Sequence, residues 1–202
     1  MDHDLQASQQ RIVQLDTSLR LMKVNQRIAQ VNVTRQTPDA ATGDVFTEFT
    51  FQEVNKQGTP VDHPRTFRIQ GDLLYIDYWV VKFADEFVEQ ANLDRSTSIC
   101  LFRRLFGEHQ EPYQGYTLDQ VESRPNVYGR DGMVSDFEQQ IWSEFWEFAN
   151  DPTRAAEKGI RAAHGEAVAT RLRPGQTYRV LLRASDGLTI QPVPVADRQA
   201  GI

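Results

Sequence analysis

Between residues 4 and 30 the chain has no Pro or Gly, and its apolar positions recur every three or four residues. That spacing, in a Gln-, Leu- and Arg-rich segment, predicts a long amphipathic helix. Ile12, Leu15, Leu19 and Met22, with Leu5 one heptad earlier, form an a/d-like seam of the kind one helix presents to another. Leu21, Val24, Ile28 and Val31 form a second seam, and Leu21 lies about 120° around the helix from Leu15. The two halves are therefore expected to meet different surfaces. Neither seam is long enough to establish a coiled coil by itself, so packing on its own domain and pairing of the first seam with another chain both stay open.

From Val31 the period changes to two. "VNVTRQ" is followed by the loop "TPDAATG" and then by "DVFTEFTFQEV", which alternates Val45, Thr47, Phe49 and Phe51 with Glu48, Thr50 and Gln52. This reads as a half-buried strand. "RTFRIQ" continues the alternation, and "LLYIDYWVVKF" is apolar on both faces, as a central strand would be. Asp77 interrupts that strand. A carboxylate there needs a partner, so a bulge or a satisfied structural aspartate is expected ahead of a functional acid. "STSICLFRRLF" reads as a further buried strand, and "RPGQTYRVLLRASDGLTIQP" as a hairpin with Tyr178, Val180 and Leu182 facing inward.

Two segments break the strand pattern. Residues 107–132 are rich in Gly, Pro and Tyr and read as a long loop. Ser135 then opens "SDFEQQIWSEFWEFAN" with Glu138 three residues on, a capping-box pattern at the head of an aromatic helix running to Asn150. Asp151 as cap, Pro152 and Gly159 frame a shorter helix after it.

The resulting fold class is α+β: a long N-terminal helix followed by a mainly antiparallel β-sheet or open barrel of about seven strands, covered by the aromatic helix. Residues 1–30 form the helix, 31–195 a β-rich domain with a helical insertion at about 135–158, and 196–202 a frayed tail. At 202 residues, with 40% hydrophobic and 25% charged residues, the chain suits one globular domain with an appendage.

The formal charge of -6 removes the usual electrostatic footprint of a nucleic-acid binder. Arg103, Arg104, Arg171, Arg173, Arg179 and Arg183 are read as wet strand faces, and no nucleic-acid partner is expected. A single cysteine, Cys100, excludes an intrachain disulfide framework and reads as a buried thiol. No run reaches the length of a spanning helix. The abrupt helical start and the lone thiol favour the soluble part of a membrane-tethered bacterial envelope protein over a cytoplasmic one, with membrane contact only through an anchor upstream of Met1.

Chemistry is concentrated in two segments, "LFGEHQEP" and "GIRAAHGEA", which supply Glu108, His109, His164 and Glu166. Imidazole and carboxylate are suitable ligands for zinc and similar ions. The spacing is not diagnostic, because the two histidines lie far apart in the sequence and meet only if the fold brings them together. Backbone hydrogen bonding in loops is the plainer role. There is no G-x-S-x-G elbow and no Gly-rich phosphate loop, and no cofactor is expected. The leading expectation is a non-catalytic assembly or adaptor module, a β-rich head tethered or oligomerised through Ile12, Leu15, Leu19 and Met22. The alternative is a small-ligand-binding or metal-dependent, hydrolase-like site, formed by loops around 105–130 and 159–167 with Glu108, His109, His164, Glu166 and Asp77 as candidates.

Overall fold

A computed structural model of the chain describes residues 2–23, 27–83, 98–120, 124–125, 135–183 and 187–194; within these, the side chains of residues 2, 3, 18–23, 83, 98, 99, 162, 164 and 183 are outside the description. Helix α1 spans Asp2–Lys23. The strands are β1 (Ile28–Pro38), β2 (Val45–Val54), β3 (Arg65–Gln70), β4 (Leu73–Phe83), β5 (Ser98–Gly107), β6 (Tyr116–Thr117), β7 (Ile160–Arg171), β8 (Thr177–Arg183) and β9 (Gly187–Pro192). Three short helices, α2 (Asp136–Ser143), α3 (Phe145–Asn150) and α4 (Pro152–Glu157), precede β7.

The α+β class holds, with the strands in two antiparallel sheets and neither of them closed into a barrel. One sheet has the order β3-β2-β1-β8-β9, the other β6-β5-β4-β7. The expected single sheet of about seven strands is thus replaced by two sheets containing nine described strands. The alternation in β2 appears as predicted, with Thr47, Phe49 and Phe51 buried and Glu48, Thr50 and Gln52 half-buried. Strand β4 lies between β5 and β7, so both of its edges are paired.

Three differences from the sequence reading have physical causes. Strand β1 begins at Ile28, inside the segment expected to be helical, and pairs with β2 and β8 on its two edges. Ile28 and Val31 fit a helical spacing, but Val31 and Val33 also fit a period of two, and two ladders of backbone bonds decide between them. Residues 160–171, expected to be loop, are strand β7. Its Ala- and Gly-rich composition has low strand propensity, so its state comes from membership of the sheet. The helix expected from Ser135 to Asn150 is broken at Glu144, whose backbone leaves the helical region at φ -108°, ψ 20°.

The chain divides into two compact units. The first comprises Met1–Asn25, Trp79–Leu101 and Asp119–Gly165. Its core gathers Trp79, Val81 and Leu101 with Ile141, Phe145 and Phe148. Trp79 stacks on Phe145 at 4.5 Å between ring centroids and meets Trp146 edge-on at 5.0 Å. Ser135 caps α2 by accepting from the Glu138 N–H at 3.1 Å. The Glu138 side chain is fully buried, where its carboxylate accepts from Trp142 Nε1 at 3.4 Å.

The second unit comprises Gln26–Tyr78, Phe102–Leu118 and Glu166–Ile202, and holds the five-stranded sheet. Phe49, Phe51, Ile69, Leu74, Ile76 and Phe102 have no exposed surface. Phe51 meets Phe102 edge-on at 5.7 Å, an arrangement aromatic quadrupoles favour. The register of β1 against β2 shifts between Val33 and Arg35, and Thr34 Oγ1 donates to the Glu48 carbonyl at 3.0 Å within that bulge.

Candidate functional site

Along residues 4–13 of helix α1 every side chain is exposed, and burial begins at Gln14, Leu15 and Thr17. Gln6, Gln10 and Gln14 face Asp136 and Gln140 of α2 across a groove of about 570 Å³. Farther along, Thr17 is buried and its hydroxyl lies 2.9 Å from that of Ser135, the cap of α2. At about 100° per residue, Gln10 and Thr17 are some 140–160° around the helix from Ile12. Leu5 and Ile12 are 60% and 63% exposed. An amphipathic surface helix ordinarily does the reverse, burying its apolar stripe. Leu15 is the exception within the seam: it is half-buried against the aromatic core cluster. The side chains of Leu19 and Met22 lie outside the described residues.

The candidates for metal or ligand binding each have a local explanation. Glu108 is exposed and follows the end of β5. Its carboxylate accepts from the Asp72 N–H at 3.2 Å and lies over Gly71, which has φ +100°. A Cβ at Gly71 would come within 2.6 Å of Glu108 Cγ, so the glycine makes room for this contact. The His109 N–H donates to the Gln70 carbonyl at 3.4 Å, and its Nε2 is 4.0 Å from Asp44 Oδ1. Glu108 and His109 thus brace the turn between β3 and β4.

Asp77 accepts from Arg104 Nε at 2.7 Å, an ion pair between neighbouring strands with both side chains about one-fifth exposed. Burial, reinforced by the Arg104 charge, draws the adjacent Arg103 guanidinium below its ordinary pKa, while Asp77 opposes that shift. Glu166, on β7, accepts a hydrogen bond from the Tyr78 hydroxyl. The same oxygen of Tyr78 accepts from the Leu188 N–H at 3.0 Å. His164 belongs to β7, not to a loop, and its side chain is outside the described residues.

Glu108, His109, Glu166 and Asp77 therefore have separate partners. Among the described residues, no three His, Cys, Asp or Glu side chains gather as a metal site. Cys100 is fully buried. No helix among the described residues is long and apolar enough to cross a membrane.

The Tyr78 contact gives a direct expectation. Replacing Tyr78 by Phe leaves the buried Leu188 N–H without this acceptor, and the loss should be about 1–3 kcal/mol. Urea unfolding followed by circular dichroism would measure it. A midpoint unchanged from the parent would show that the hydroxyl has no structural role.

The chain matches no protein-family profile, no curated protein and no solved structure.

Proposed function

We propose that the protein is a non-catalytic assembly module, in which α1 joins copies of the chain and the β-rich body is what the assembly displays. The observation that supports this reading is the orientation of α1. Thr17 is buried and Leu15 packs on the core of its own unit, while Leu5 and Ile12 remain at the surface. Exposed apolar side chains one heptad apart suit a second helix, which removes both from water in successive layers. In this reading the aromatic segment 136–150 is the covering layer on which α1 rests, so that the helix is held in place before it meets a partner.

Light scattering of the intact chain tests the proposal. The parent should have a mass above that of a monomer, and Leu5→Asp with Ile12→Asp should lower it to the monomer, because burying two carboxylates in such a contact costs several kcal/mol. Both positions are at the surface, so the circular dichroism spectrum should not change. A parent chain that is monomeric at high concentration would refute the proposal.

A further inference from the structure

We infer that two copies associate through α1 as a parallel, in-register pair, with Arg11 of each copy opposite Asp16 of the other. This rests on the assembly reading above and adds the stoichiometry, the direction and the charge contact. With Ile12 in an a position, Leu5 and Leu19 are also a positions, and Ser8, Leu15 and Met22 are d positions. Thr17 then occupies f, the position opposite the seam, in agreement with its burial against Ser135.

Direction follows from the flanking positions. Arg11 is at g and Asp16 at the following e, and both residues are exposed. In a parallel pair, g of one helix faces the next e of the other, so Arg11 and Asp16 meet twice across the two-fold axis. In an antiparallel pair g faces g and e faces e, which sets Asp16 near Gln9 or Asp16 of the other copy and loses the complementarity. Ser8 gives the same answer. Parallel pairing in register puts Ser8 against Ser8, where two hydroxyls can bond each other, whereas the antiparallel arrangement of the same seam buries Ser8 against Leu19. A polar residue in one layer is a recognised means of fixing register.

Two experiments on the full chain test this. Ile12→Cys adds a thiol at an exposed position to a chain whose single native cysteine is buried. Mild oxidation should give a covalent dimer on a non-reducing gel, because position 12 faces itself. If Ile12→Cys gives no covalent dimer while the chain still has a mass above that of a monomer, the parallel in-register pairing fails and the assembly reading stands.

The second experiment concerns charge. Arg11→Asp and Asp16→Arg should each weaken dimerisation about tenfold, since two attractive pairs become two repulsive ones. Mixing the two variants should restore it, because each chain then meets the opposite sign at both contacts. If single variants dimerise like the parent, the Arg11–Asp16 contact is wrong. If the parent is monomeric, both the inference and the assembly reading are wrong.

Discussion

Replacing Arg27 by Ala is expected to cost the second unit about 3–5 kcal/mol, a large part of the stability of a domain this size. The Arg27 side chain has no exposed surface, and its Nε and Nη2 bond the two Glu53 oxygens at 2.9 and 2.7 Å. Its guanidinium carbon also lies 4.2 Å from the centre of the Phe102 ring. Truncation would leave the Glu53 carboxylate, only 8% exposed, without this cation. A second acid is close by. The Asp62 carboxylate accepts from the Glu53 N–H at 2.9 Å, and its pKa is raised by burial and further by the Glu53 charge. Removing Arg27 also removes a charge that stabilises both acids. Replacing the pair together, Arg27→Met with Glu53→Leu, should recover most of the loss, because the penalty comes from the stranded charge. Urea midpoints read from the β-sheet circular dichroism signal would decide this, and a single variant as stable as the parent would overturn the argument.

Trp79→Ala should produce a loss of similar size in the first unit, about 3–5 kcal/mol, through the cavity left by an indole. Trp79 is 3% exposed, lies parallel to the Phe145 ring and supports the edge of Trp146. Because Phe145 opens α3 immediately after the break at Glu144, the stacking also fixes how that helix begins. Trp79→Phe keeps a stacking surface and should lose distinctly less. Thermal melts of both variants would check the order. Equal losses for Ala and Phe would show that a ring kept at this position neither fills the cavity nor stacks on Phe145.

Much of the β structure is legible in the sequence because one physical signal dominates it. In β2 and in the β8–β9 hairpin, Phe51, Tyr178 and Val180 alternate with polar residues, and the hairpin register pairs Val180 with Ile190 as the alternation requires. Strand β7 gives no such signal. Ala162, Ala163, Gly165, Ala167 and Ala169 have little side chain to alternate, so only the ladder with a neighbouring strand makes the segment extended. The α1 seam is equally legible as a spacing, yet its orientation is not. Nothing local marks Thr17 as the buried position until Ser135 is found bonded to it, a contact between residues 118 positions apart. The pairing of Glu108 with the Asp72 backbone is invisible for the same reason: it depends on where β5 ends in space relative to the β3–β4 turn.

The distribution of indole rings gives the molecule an uneven optical character. All three tryptophans, Trp79, Trp142 and Trp146, belong to the first unit. Trp79 and Trp142 are screened from water, whereas Trp146 is 48% exposed. Emission excited through indole therefore carries no direct signal from the five-stranded sheet, and a dissolved anionic quencher reaches principally one of the three emitters. The two units can be observed through separate spectroscopic windows without any added label: indole emission for the helical one, and the far-ultraviolet signature of extended backbone chiefly for the other.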